Sequence, residues 1–149
     1  MIKRRQLDGK EFDSFATRFA SLPLARIWFG DYLALYLELG QQVGVYERSG
    51  RPKHERHIFT GFDWTLTDSN GETTRRSDLT EDRVMLLFTS SRVQSVARDV
   101  GNELLVCFDN ECQIHTQGPA QPEWSLYETP DKNVSIENGR PILEADTFH

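Results

Sequence analysis

The chain has 149 residues and a formal net charge of −6, with 27% charged and 38% hydrophobic residues. No apolar run approaches the roughly 20 residues that a membrane-spanning helix requires, which excludes helical integral membrane proteins. The first residues, MIKRRQLDGKEF, are basic but lead into no apolar stretch, so we expect no secretory signal and a cytoplasmic, bacterial-type protein.

The charge is distributed unevenly along the chain. Residues 99–149 carry ten Asp and Glu against two Lys and Arg, whereas residues 1–98 carry 13 against 15. Such a field attracts a basic protein and repels nucleic acid. The alternative is an acidic face that only keeps the protein in solution.

The first helix is predicted over residues 9–20. Asp8 is a suitable N-cap and Glu11 completes a capping box, since it follows three residues later. Apolar residues then recur at helical spacing, namely Phe12, Phe15, Ala16 and Phe19.

Strands are predicted after this helix. ARIWF, LALYLEL at 33–39 and QVGVY form a meander, with turns at Gly30-Asp31 and Gly40-Gln41. Residues 47–60 are polar and basic and are predicted to form a long loop. FDWTLTD then alternates, with Phe62, Trp64 and Leu66 facing inward.

The second helix is predicted to open at Thr80, with Glu81 and Asp82 in its first turn. The strands predicted after it are VQSVARDV, ELLVCF, CQIH, EWSLY, NVSIE and RPILE. The last two form a C-terminal hairpin over 133–144, and Pro141 favours an edge position for the final strand.

The two halves, 7–68 and 79–128, share one pattern: a helix, a three-strand meander and a strand with Trp two residues before Leu. The alignment sets Leu33, Leu35 and Leu37 on Leu104, Val106 and Phe108, Val43 and Val45 on Cys112 and Ile114, and Trp64 and Leu66 on Trp124 and Leu126. It predicts an internal duplication, although any two segments of this kind align once gaps are allowed. We expect one α+β domain, 1–149, with two helices packed on a mainly antiparallel meander sheet, open or curled into a partial barrel.

Several motif positions in the second half follow a known pattern: Val93, Val96, Leu104, Val106, Phe108, Asp109, Trp124 and Leu126. They give a V-x-x-V strand, an L-x-L-x-F-D-(D/N)-G hairpin and an (E/S)-W-x-L strand. On these residues, the segment from about 84 to 143 resembles a family of small, largely uncharacterised bacterial domains. Glu111 stands where that pattern has Gly. Some members look like immunity proteins of toxin–immunity pairs, and no catalytic residues come with the resemblance.

Candidate chemistry is sparse. KHERHIF offers His54, Glu55 and His57 for metal binding or acid–base catalysis, but the flanking Lys and Arg favour a basic loop. Cys107 and Cys112 are close enough in sequence for a hairpin disulfide, yet we expect two reduced thiols. Glycine-rich phosphate loops and activated nucleophiles are absent from the sequence. We therefore expect no enzyme, no metal site and no cofactor.

The tryptophans Trp28, Trp64 and Trp124 are predicted to fill the core. Tyr36 and Tyr127 alternate with leucines and are predicted to lie on the sheet face opposite to them, either packed against cross-strand neighbours or open to solvent and a partner. The acidic binding region is predicted to comprise Asp109, Glu111, Glu123, Tyr127, Glu128 and Asp131. The first hypothesis is an immunity protein that binds a basic toxin domain and blocks its active site. The second is a small-ligand-binding or accessory domain.

Overall fold

Twelve β-strands and two α-helices make up the part of the chain that the computed structural model describes, residues 2–61, 63–116 and 123–146. The helices are α1 (Gly9–Thr17) and α2 (Glu81–Leu87). The strands are β1 (Lys3–Gln6), β2 (Leu24–Phe29), β3 (Leu35–Val45), β4 (Pro52–Thr60), β5 (Trp64–Thr67), β6 (Thr73–Arg75), β7 (Val93–Arg98), β8 (Leu104–Phe108), β9 (Gln113–Thr116), β10 (Trp124–Glu128), β11 (Lys132–Glu137) and β12 (Arg140–Ala145). Phe62, predicted to face inward, lies outside the described residues.

The described strands form two antiparallel sheets, neither of them closed. The large sheet has the order β1-β12-β11-β10-β4-β3-β2, and the small sheet has the order β6-β5-β9-β8-β7. The α+β class with mainly antiparallel pairing is confirmed. The single shared sheet and the partial barrel are not, because the apolar faces of two separate sheets bury each other and the helices.

Both helices begin where the sequence predicts. The Asp8 carboxylate accepts a hydrogen bond from Glu11 N at 2.8 Å and closes the capping box, and Thr80 caps α2 through Arg83 N. Helix α1 ends at Thr17 rather than at residue 20. After Thr17 the backbone tightens into turns, and Ser21 reverses the chain with φ +70°.

Two predictions for the first meander are wrong. Gly40-Gln41 is a bulge inside β3 rather than a turn, so β3 continues to Val45. Gly40 has φ +82° and the Glu55 side chain occupies the position where a Cβ would lie, while the Glu55 carboxylate accepts a hydrogen bond from Gln41 N at 2.7 Å. The predicted loop over 47–60 contains β4. Pairing with β3 and β10 on its two sides holds this polar segment extended.

The predicted edge strand is also wrong. Pro141 is buried in β12, which lies between β11 and β1, and β1 was not predicted at all. The carbonyl of Pro141 accepts a hydrogen bond from Leu7 N, and the ladder to β1 begins one residue later, at Ile142. The proline therefore needs no N–H of its own toward β1.

The two halves of the chain exchange their tryptophan strands. Strand β5, which carries Trp64, pairs with β9 in the small sheet, whereas β10, which carries Trp124, pairs with β4 in the large sheet. The helices are exchanged as well, since α1 packs on β7 and α2 on β2. Each sheet is therefore completed by strands of the other half.

Matched hydrogen bonds relate the halves at a spacing of 69 residues. Leu24 N donates to Ser91 O and Val93 N donates to Leu22 O, both at 3.0 Å. The indole N–H groups of Trp64 and Trp124 likewise donate to Leu33 O and Asn102 O. This spacing sets Leu35, Leu37 and Leu39 on Leu104, Val106 and Phe108, two residues from the predicted alignment. Ile58, rather than Val45, corresponds to Ile114, because both pair with the Leu of the exchanged Trp strand. An origin by duplication stays a prediction.

Candidate functional site

The outer face of the large sheet carries two rows of side chains that cross from β2 to β10. Alternate residues of a strand point to opposite faces, so the partners of the core residues project outward. Register places both rows in line across the four strands. We call these eight residues the aromatic face: Trp28, Tyr36, Phe59 and Ser125 in one row, and Arg26, Glu38, His57 and Tyr127 in the other.

The rings of the aromatic face contact one another. Trp28 and Tyr36 stack with centroids 4.1 Å apart and planes 6° from parallel, and Tyr36 lies 5.0 Å from Phe59. His57 lies 5.5 Å from Tyr127. The Tyr36 ring also rests where a Cβ on Gly30 would lie, so only glycine leaves room for it. A shallow recess beside these rings is lined by Tyr36, His57, Phe59, Ser125, Tyr127 and Asn133.

The β3–β4 hairpin, whose register shifts at the bulge, extends past the edge of this face. After the bulge, the outer part of β3 is exposed, including Val43 and Val45. At the start of the hairpin turn, Tyr46 approaches His57, with ring centroids 6.5 Å apart, and Lys53 Nζ lies 5.0 Å from the Tyr46 centroid. The hairpin therefore brings Tyr46 beside the second row of the aromatic face.

Glu38 is the buried acid of the aromatic face, with 5% of its surface exposed. Burial raises the pKa of its carboxyl group, and the charge of Arg26 offsets part of this effect. Arg26 Nε lies 3.8 Å from Glu38 Oε2, which is an ion-pair distance but too long for a hydrogen bond. The carboxylate is therefore incompletely compensated.

Four buried polar atoms in this region lack a hydrogen-bond partner among the described residues: Trp28 Nε1, Glu38 Oε2, His54 Nδ1 and His57 Nε2. Buried polar atoms are nearly always paired, since an unpaired one costs about 1–3 kcal/mol. Burial also lowers the pKa of His57, with the charges of His54 and Lys53 acting in the same direction, so its neutral form is favoured. Polar atoms of this kind can be completed by water or by the polar groups of a partner.

We expect Glu38→Gln to stabilise the free protein at pH 7–8 and not at pH 4. The folded-state pKa of Glu38 lies above its ordinary value of 4.5, so the folded state retains the proton more strongly. The contribution of Glu38 to the free energy of unfolding therefore falls as pH rises above 4.5, and glutamine has no such loss. Urea titrations of both proteins at the two pH values measure this. A gain of the same size at both values would contradict a raised pKa.

Tyr127 and Asp131 are the predicted site residues that the structure brings to the aromatic face. Burial, and then the charges of Asp131 and Asp146, raise the pKa of Tyr127. The Tyr127 hydroxyl donates to Pro130 O at 2.6 Å, which fixes the ring beside His57. The placement of Tyr36 and Tyr127 on an outer sheet face is confirmed.

The other four predicted residues lie elsewhere. Glu128 points to the opposite side of β10, where Arg18 Nη1 and Arg56 Nη2 bind it at 3.0 and 3.1 Å. Glu123 is exposed next to Gly61. Asp109 and Glu111 belong to the β8–β9 turn of the small sheet, and Asp109 Oδ1 accepts a hydrogen bond from Arg92 N. The six residues thus do not form one surface patch.

The sequence analysis missed Trp28 as a site residue. Trp64 and Trp124 are buried as predicted, but Trp28 is half-buried and lies on the aromatic face. Glu38, His57 and Phe59 were missed with it. The sequence does contain a pattern that indicates this face, namely polar or aromatic residues two positions apart in Arg26/Trp28, Tyr36/Glu38 and His57/Phe59. The pattern can be recognised only if residues 47–60 are assigned to a strand.

Among the described residues, tertiary ion pairs with residues of the first half involve three acids of residues 99–149. Arg4 pairs with Glu137 and Glu144 across β1, β12 and β11, and Arg56 and Arg18 pair with Glu128. The Arg4 pairs are exposed, and such pairs contribute little stability, about 0–1 kcal/mol each. Their effect here is on the surface potential, because basic segments from the first half lie against the acidic third.

A second cluster lies in the small sheet and consists of Asp99, Glu103 and His115, whose ligand atoms all lie within 4.8 Å of one another. His115 Nε2 lies 2.8 Å from Glu103 Oε2, so a histidine–carboxylate contact accounts for the grouping. Both cysteines are free, and Cys112 belongs to the core whereas Cys107 is half-buried.

The comparisons with known proteins returned nothing: neither a protein-family model, nor a curated protein, nor a solved structure matches this chain. Within the described part of the chain, neither helix has the length and apolar character needed to cross a membrane.

Proposed function

We propose that this chain is an immunity protein that binds a cognate bacterial toxin stoichiometrically and covers its active site. The observation that carries the proposal is the aromatic face, three of whose buried polar atoms, on Trp28, Glu38 and His57, lack a hydrogen-bond partner among the described residues. The proposed role is binding, and it requires no catalytic residue, metal or cofactor in this chain.

The composition of the aromatic face favours a protein partner. Interfaces are enriched in Trp, Tyr and Arg, and the residues that dominate binding energy are of these types. One sheet carries all four such residues of this face, Arg26 and Trp28 on β2, Tyr36 on β3 and Tyr127 on β10. Rigid rings lose little conformational entropy on binding, so their contact area is used efficiently.

The acids around Tyr127 favour a basic partner. Asp131 and Asp146 act on the Tyr127 hydroxyl, and Glu38 lies in the same row as Tyr127, two strands away. Complementary charge of this kind raises the association rate and suppresses wrong partners. A toxin domain that acts on nucleic acid has the required basic surface.

Co-purification with the product of the adjacent gene tests the proposal. We expect the tagged protein to retain that product at low salt and to inhibit its activity at one-to-one stoichiometry. Leu86→Ala, on the exposed side of α2, is the matched control and should retain the partner fully. A product that is neither retained nor inhibited at low salt would refute the proposal.

A small-ligand-binding or accessory domain is the second candidate, and the recess beside Tyr36, His57 and Tyr127 is the observation that favours it. A ligand that binds only the folded state raises the melting temperature. A thermal-shift screen of metabolites therefore separates the two candidates, since the immunity protein is expected to gain stability with its protein partner alone.

A further inference from the structure

We infer that Glu38 is the acceptor for an arginine side chain of the partner, which enters the aromatic face between Trp28 and Tyr46. This inference rests on the proposed function and deepens it by naming the chemistry of the central contact.

The fold does not require these side chains. At a spacing of 69 residues, Arg26, Trp28, Tyr36 and Glu38 correspond to Ser95, Ala97, Leu105 and Cys107 on the outer face of the small sheet. The same backbone arrangement is thus built there with small or aliphatic residues. The buried acid and its aromatic neighbours in the large sheet are additions that the strand pairing does not explain.

The Glu38 carboxylate has capacity for a further cation. Its residue is more than nine-tenths buried, and Oε2 makes no hydrogen bond of normal geometry among the described residues. The Trp28 indole N–H acts on the carboxyl group as a donor and lowers its pKa, but less than burial raises it. Arg26 is 38% exposed at its side chain and stays at 3.8 Å, so it lowers the cost of the charge without satisfying the oxygen. A planar guanidinium supplies parallel N–H donors that match a carboxylate, which an ammonium group does not.

The surrounding rings already hold cations. Arg26 Cζ lies 5.7 Å from the Trp28 centroid, and Lys53 Nζ lies 5.0 Å from the Tyr46 centroid. Both distances are within the range of cation–π attraction. Tyr36 covers one face of Trp28, so a cation from outside reaches the face that Arg26 occupies, and the Tyr46 face that Lys53 occupies, once these two side chains turn into solvent.

The remaining unpaired atoms suit the same partner segment. A ring nitrogen of neutral histidine without a proton is an acceptor, so His57 Nε2 can take a further guanidinium N–H. Trp28 Nε1 is a donor only, and the Glu38 carboxylate is the acceptor on which it acts. One arginine thus supplies donors to Glu38 and to His57 together.

The test is a titration of the ¹⁵N-labelled protein with N-acetyl-arginine amide, which needs no toxin. The three tryptophans give three indole N–H signals. Trp64 and Trp124, whose indoles donate to backbone carbonyls in the core, serve as internal references. N-acetyl-citrulline amide, which has the same shape without the charge, is the control ligand, and Glu38→Gln is the control protein.

We expect the Trp28 signal to shift and saturate, with half of the maximal shift at a ligand concentration between about 1 and 100 mM. This range is expected because a single side chain supplies only a small part of the binding energy of an interface. The two reference signals should stay in place, and the shift should disappear with citrulline or in Glu38→Gln. No shift at 100 mM, an equal shift with citrulline, or a shift retained in Glu38→Gln would each overturn the inference. Half-effect below about 10 μM would overturn it in favour of a free small-molecule cation. Each of these failures leaves the co-purification result unchanged, so the two proposals fail separately.

Discussion

Trp124→Ala is expected to lower the free energy of unfolding by about 3–5 kcal/mol, the range for replacing a buried Trp or Phe by Ala. Trp124 is 1% exposed and packs edge-on against Phe12, with ring centroids 5.6 Å apart. Its indole N–H donates to Asn102 O at 2.7 Å, and the truncation leaves that carbonyl unpaired. Denaturant unfolding followed by circular dichroism measures the change.

Trp28→Ala is the matched control for this experiment. Trp28 is half-buried on the aromatic face and lies outside the core cluster, so its loss is expected to cost less than half as much stability. Trp64→Ala, at the corresponding position of the exchanged strand, should behave like Trp124→Ala. Equal costs at Trp28 and Trp124 would contradict the division between core and surface tryptophans.

Tyr36→Ala is expected to weaken binding of the toxin by about 30- to 1,000-fold, which corresponds to the loss of about 2–4 kcal/mol at a central interface residue. Tyr36 contacts both Trp28 and Phe59, so its removal also releases the neighbouring rings. Isothermal titration calorimetry with a catalytically inactive variant of the product of the adjacent gene measures the dissociation constant.

Leu86→Ala should leave that dissociation constant unchanged, because α2 packs on β2 from the core side and its exposed residues face away from the aromatic face. Circular dichroism of Tyr36→Ala separates loss of binding from loss of folding. A folded variant that binds within threefold of the original protein would remove the aromatic face from the interface.

Local sequence signals were sufficient for the helices and for most strands. The capping box of Asp8 and Glu11 specifies where α1 begins, because its hydrogen bonds join residues three apart. Alternation in LLVCF and WSLYE identified β8 and β10 with their buried faces. Such features depend on neighbours in the chain, and the sequence contains all of them.

The strand at β4 and the bulge at Gly40 could not be read in this way. KHERHIFT is polar on both faces over much of its length because its outer side chains, including His57, belong to the aromatic face. Its extended form depends on β10, about 70 residues later in the chain. Gly40-Gln41 has the composition of a turn, and only the pairing of β3 with β4 shows that it forms a bulge.

Local patterns in the sequence are sufficient for the α+β class and for the two capped helices. They also reveal the strand of each half in which Trp stands two residues before Leu, and the outward orientation of Tyr36 and Tyr127. Only the tertiary structure decided that the Trp strands are exchanged between two sheets, and that Arg4, Arg18 and Arg56 neutralise acids of the last third. Only it placed Trp28, Glu38 and His57 together. The physical reason is the range of the interactions: caps and alternation act between near neighbours, whereas sheet register and ion pairs join residues that are distant in sequence.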